Sequence, residues 1–236
     1  MFNIFKKFNK GNSKEKVYNE ISNEKKEDIN VMPEEFNDMD IVDKYLYMLE
    51  NKYKNSENKF KWEKFIGVKE GISKENLNKL KQVYPDISKS LIKLLEFADG
   101  TYHRIYGTDK ICLYFLGSDL EEYPYYLLSS ERIINNKNMA YEYYKEYIDR
   151  NYGEEIYVDD KIISDSKKIY WLHFSDCMNN GGTSKLFIDF SPSDTGIKGQ
   201  IIRVLHDRDE IRVIANSFDE YLQMLIDNDL NFISND

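Results

Sequence analysis

The chain has 236 residues, 41% of them hydrophobic and 32% charged, which is enough apolar material for one large domain with an extension. Its net charge of −9 belongs to the later part: residues 1–64 carry 13 basic and 13 acidic side chains, whereas residues 65–236 carry 20 and 29. Such a surface repels phosphate backbones and attracts cations, so it argues against nucleic acid and for a basic protein partner.

Residues 1–37 are rich in Lys, Asn, Glu and Ser and read as a flexible leader; a basic turn at Met1–Phe8 that touches a membrane is the sharper alternative to a frayed end. Asp38 or Asp40 is placed to cap a helix that carries Ile41, Val42, Tyr45, Leu46, Leu49 and Tyr53 at helical spacing. Residues 54–61 are polar and read as a linker. The expected division is therefore an extension, 1–61, and a main domain, 62–236. Ser73 caps a helix with Leu77, Leu80 and Val83 on one face, and Pro85 ends it. A second helix presents Ile87, Leu91, Leu94, Leu95 and Ala98, with Gly100 at its C′ position. Ile111–Leu116 is a continuous apolar run, expected as a strand covered on both faces. Residues 127–134 are ambiguous, and Met139–Tyr152 is helical by pattern.

Ile169–Phe174 reads as a strand, Asn179–Gly182 as a tight turn, and Leu186, Ile188 and Phe190 as the alternating face of a second strand. Gln200–Leu205 and Ile211–Ala215 follow as further strands, joined by the acidic turn Asp207–Glu210. Close turns favour an antiparallel meander. Ser217 and Glu220 match a capping box opening a helix with Phe218, Tyr221, Leu222, Leu225 and Ile226 as its stripe. The fold class is α+β, a mostly antiparallel twisted sheet packed with helices.

The order Ala98-Asp99-Gly100, Trp171, Gly181-Gly182, Leu186–Phe190, Pro192, Gly199-Gln200 and Ser217–Leu222 resembles the SUKH superfamily, which includes the yeast cell-wall assembly regulator and many bacterial proteins. The similarity spans roughly residues 62–230. It departs from the family pattern in having Asp99-Gly100 for Asn-Gly, and His173-Phe174 where a proline is common. The resemblance implies a non-enzymatic protein-interaction domain; similar bacterial proteins serve as immunity proteins against toxins, often nucleases or deaminases.

No spacing of His103, His173 and His206 with Cys112 and Cys177 matches a metal site, so neither metal nor cofactor is expected. Two distant thiols without a signal peptide fit a reduced, cytoplasmic setting in which both cysteines are buried. The apolar runs are too short to cross a bilayer. Gly181-Gly182 lacks the rest of a phosphate-binding loop. Trp171 reads as core. The acids Asp176, Asp189, Asp207, Asp209 and Glu210 read either as solvated turn residues or as a patch facing a basic partner. Asp189 and Phe187 lie opposite the Leu186, Ile188 and Phe190 face, hence on an exposed side, where they could touch that partner; alternatively Asp189 hydrogen-bonds a loop. The expected function is toxin neutralisation by binding. A regulatory scaffold of the cell-wall-regulator type is the first alternative, and a hydrolase with an unrecognised site the second.

Overall fold

In the computed structural model, residues 34–121, 123–177, 184–206 and 209–233 are described. The leader expected over 1–37 lies almost wholly outside them; its described end is a 3-10 turn, Glu34–Asp38. The unit that holds the core runs from Met39 to Asp236.

Helix α1 (Ile41–Lys54) opens this unit, and Asp40 caps it by accepting from the Val42 and Asp43 amides at 3.0 and 3.2 Å. Val42, Tyr45, Leu49 and Tyr53 fall on one face and are almost fully buried. The Tyr45 hydroxyl donates to the Phe115 carbonyl and the Tyr53 hydroxyl to the Tyr114 carbonyl, so both rings are anchored at each end. The compact unit begins at Met39 and so includes this helix, whose apolar stripe finds its partner face in the larger core.

Helix α2 (Lys59–Val68) adds Trp62, stacked on Tyr53 at 5.2 Å, and Phe65. Ser73 caps α3 (Lys74–Val83) through the Asn76 amide, and Ser88 caps α4 (Lys89–Phe97). The hairpin β1 (Arg104–Tyr106) and β2 (Asp109–Ile111) forms a separate two-stranded sheet. The apolar run after it is only partly a strand: β2 ends at Ile111, and Leu116 makes an isolated bridge to Tyr125. Cys112 faces solvent in this irregular stretch, contrary to expectation, and Cys177 is buried.

The main sheet has six strands in the order β3 (Tyr125–Leu127), β5 (Trp171–Cys177), β6 (Ser184–Asp189), β7 (Gln200–Leu205), β8 (Glu210–Ala215) and β4 (Tyr157–Val158). Strands β5 to β8 form the expected antiparallel meander, and β4 lies parallel to β8. The ambiguous stretch near residue 130 is β3 followed by α5 (Ser130–Asn135), capped by Ser129. Helix α6 (Met139–Ile148) stops short of the expected Tyr152. Helix α7 (Phe218–Asp227) is capped by Ser217, whose Oγ accepts from the Glu220 amide at 3.1 Å; the Glu220 carboxylate reaches the Asn216 amide, one residue beyond the usual box partner.

The sheet is covered on both faces. Leu172, Phe174, Leu186, Ile188 and Ile201 join the helices α1, α2, α4 and α7 in the larger core. Trp171, Phe187, Ile202, Val204 and Ile211 pack beneath Ala140 and Ile148 of α6, with Ile162 beside them. This second layer decides what the strands can offer a partner.

Candidate functional site

The acids nominated from sequence fall into different environments. Asp189 and Phe187 do lie opposite Leu186 and Ile188, yet both are fully buried, because α6 and Ile162 cover that face. The expectation of an exposed pair is overturned: alternation assigns a residue to a face but does not say whether the face is solvated. Asp189 takes the loop-bonding alternative, accepting from the Ser191 amide at 2.8 Å and from Gln200 Nε2 at 2.9 Å. Burial pushes its carboxyl up to about 6 against these hydrogen bonds.

Asp176, Asp209 and Glu210 share one end of the sheet, since Asp176 pairs with Lys185 in register and Glu210 with Leu205 beside Ser184. Asp207 lies outside the described residues. None of the three described acids is unpaired. Asp176 accepts from Lys185 Nζ at 2.7 Å and lies 3.0 Å from His173 Nε2. Its burial favours the neutral acid, but His173 and Lys185 outweigh this and hold it at about 2. Asp209 lies 3.0 Å from His206 Nδ1. Glu210 accepts from Arg203 and Arg212 at 2.6 and 2.9 Å.

Arg203 is the residue that sequence analysis passed over. It interrupts the apolar run of β7, is 2% exposed, and makes a two-pronged contact with Asp119. A lone cation within an apolar strand was the available signal, because a charge so placed must be paired. Asp119 and Glu210 together neutralise it, and the Arg203 guanidinium is held above its ordinary range despite burial.

The histidines sit on different parts of the fold: His103 just before β1, His173 inside β5, and His206 just after β7. His173 Nδ1 lies 3.0 Å from the Asn136 amide nitrogen, and Nε2 3.1 Å from the Ser175 carbonyl. The network therefore assigns the proton to Nε2. The ring stacks on Phe187 at 4.8 Å, in a packed interior. Among the described residues no group of His, Cys, Asp and Glu is arranged to hold a metal ion.

The Asp99-Gly100 pair is a joint between elements. Asp99 Oδ1 accepts from the Ser130 amide at 2.7 Å and Oδ2 from the Ser130 hydroxyl at 3.1 Å, which ties the end of α4 to the start of α5. Arg104 adds a third bond at 3.2 Å. An acceptor-only side chain suits three donors, which gives a physical reason for Asp in place of Asn.

Residues 71–224, which span the paired helices, the joint and the meander, match the model of the SMI1 / KNR4 family (SUKH-1). The chain belongs to that family. No individual curated protein matches it. For a SUKH domain the relevant property is protein–protein interaction, so its surface is the place to look. Among the described residues no helix is long and apolar enough to cross a membrane.

The outer side of α6 and the segment after it carry exposed aromatic side chains. Tyr143 is 66% exposed, and Tyr141 and Tyr152 are also open to solvent. Tyr143, Tyr144, Tyr147 and Tyr152 form a connected row, with centroid separations of 6.5, 6.2 and 5.0 Å. Tyr144 meets Phe187 edge-on at 6.0 Å, so the row is rooted in the core. Rigid amphipathic rings of this kind give contact area at little entropic cost.

Proposed function

We propose that this SUKH domain is an immunity-type protein that binds a toxin domain, possessing no chemistry of its own in that role. Membership of the family over most of the chain carries the reading. The rooted tyrosine row of α6 supports it, because exposed aromatics backed by a packed core make good interface anchors. Asp176 and Glu210, two of the acids expected to face the partner, are matched by Lys185, Arg203 and Arg212. Their contribution to association is therefore small, and the aromatic surface provides most of the contact. The toxin would be of the nuclease or deaminase type, and the complex would form in the cytoplasm.

Co-expression with the protein encoded beside this gene tests the proposal. A stable complex and rescue of growth are expected, and Tyr143→Ala together with Tyr152→Ala weakens binding at least tenfold without altering the fold. Absence of both complex and protection sinks the reading and leaves a regulatory scaffold, the role of the yeast relative.

A further inference from the structure

Asp176 and Glu210 are matched by cations, but acids carried beside the tyrosine row are not. From Met139 to Val158 the chain holds five acids, Glu142, Glu146, Asp149, Glu154 and Glu155, against two cations, Lys145 and Arg150. Arg150 turns inward and spends its guanidinium on the carbonyls of Ile148, Asp159 and Ile162, at 2.7, 3.4 and 3.1 Å. Asp149 is also committed, accepting from the Ser166 amide and hydroxyl at 2.7 Å each. Glu142, Glu146 and Glu155 are exposed and enter no ion pair among the described residues.

Helical spacing puts these charges among the rings. Positions three and four apart share a side of a helix, so Glu142 and Glu146 form a strip that includes Tyr143, one turn before Glu146. Asn151 Nδ2 donates to Glu146 at 2.5 Å and draws the segment bearing Tyr152 back to the helix, leaving the carboxylate charge unneutralised. Tyrosine faces attract cations, and two rings of this region already hold one: Lys145 lies over Tyr141 at 5.8 Å and Arg212 over Tyr157 at 4.8 Å. Among the described residues no cation lies over Tyr143 or Tyr152. The surface therefore offers flat rings and uncompensated negative charge together. It repels the phosphates of a nucleic acid or an anionic lipid. A second copy meeting through the same face would set like charges against each other. A protein face bearing guanidinium or ammonium groups satisfies both features, with a cation on a ring and its donors on the carboxylates.

We propose that the outer face of α6 docks an arginine- or lysine-bearing segment of the protein partner, its cations laid on Tyr143 and Tyr152 and paired with Glu142 and Glu146. This contact rests on the binding role proposed above and supplies the chemistry of the partner's face.

The test titrates the full chain with a labelled peptide of arginines and glycines, and with the same peptide carrying citrulline, which keeps the shape and loses the charge. Anisotropy reports binding, and the Tyr143 ring resonances report the location. The expected result is saturable binding of the arginine peptide, with displaced Tyr143 resonances and a marked loss in added salt. Glu142→Gln with Glu146→Gln weakens it roughly fivefold. Tyr143→Leu, which keeps an apolar side chain but removes the ring face, weakens it about threefold. Glu57→Gln with Glu96→Gln removes the same charge at exposed positions before α2 and on α4, and leaves the affinity unchanged. Undisplaced Tyr143 resonances, equal binding of the citrulline peptide, full affinity in the Glu142 and Glu146 variant, or an equal loss in the Glu57 and Glu96 variant each overturns the proposal. A complex with the neighbouring gene's product alongside such a failure overturns this contact and leaves the binding role standing. Peptide binding as expected without that complex removes the toxin and keeps the contact.

Discussion

Arg203 closes on both carboxylate oxygens of Asp119, at 2.6 and 3.0 Å, across 84 positions of sequence. The contact fastens the loop before β3 to the centre of the meander, and Glu210 completes it from the neighbouring strand. Removing the cation leaves Asp119 without its ion pair and Glu210 with Arg212 alone. Arg203→Ala is expected to lower unfolding stability by about 3 kcal/mol. Asp119→Asn should cost less, and the double variant less than the sum of the two. Urea denaturation checks this; a loss below about 1 kcal/mol in Arg203→Ala would mean that the triad adds little.

The joint at Asp99-Gly100 is expected to be intolerant. Gly100 takes φ +97°, and an added Cβ would meet the Ser129 backbone nitrogen at 2.7 Å. Gly100→Ala should therefore cost more than about 3 kcal/mol, or prevent folding, since both conformation and backbone contact oppose it. Asp99→Ala leaves the buried Ser130 amide without its partner, at about 1–3 kcal/mol. Thermal melts of the two variants distinguish strain from lost bonding.

Helix α1 is expected to behave as core. Tyr45 is fully buried, and its ring meets Phe115 edge-on at 6.4 Å. Tyr45→Ala should cost about 3–5 kcal/mol, whereas Tyr45→Phe, which loses only the bond to the Phe115 carbonyl, should cost about 1 kcal/mol. If chemical denaturation shows Tyr45→Ala to be neutral, the unit does not need this helix.

Two buried carboxylates should drive stability in opposite directions with pH. Asp176 is held at about 2 in the folded chain against 3.8 when unfolded, so its stabilisation is complete above pH 4 and is lost as pH falls towards 2. Asp189 is raised to about 6, so the folded state retains a proton that the unfolded chain releases; its contribution grows as pH falls from above 6 towards 4. At about 1.4 kcal/mol per unit, the Asp189 effect is on the order of 3 kcal/mol at most. Unfolding midpoints measured between about pH 7 and pH 3 should rise and then fall, and Asp189→Asn should flatten the rise alone. A midpoint that falls steadily from neutral pH would exclude the Asp189 assignment.

Much of the fold was legible because local rules carried it. Ser73, Ser217 and Asp40 cap the helices expected of them, and the period-two pattern of Leu186, Ile188 and Phe190 marks a true core face. The run Ile111–Leu116 misled because an apolar sequence demands burial, not a strand; these residues are buried largely in irregular backbone. The site was less legible. Asp176 and Glu210 look alike as acids near turns, and only their neighbours reveal that each is already matched by a cation.

The sequence by itself determined most of the element types and the family, because caps, turns and hydrophobic periods are local and their order survives in the chain. Only the tertiary structure decided which surfaces remain open. Covering the second sheet face with α6 buried Phe187 and Asp189 and left the tyrosines outside. Bringing Arg203 against Asp119 and Glu210 paired charges that stand 84 and 7 positions apart in the chain. Exposure and charge pairing are long-range quantities: they depend on what a residue meets after the chain has packed, and no spacing along the chain records that.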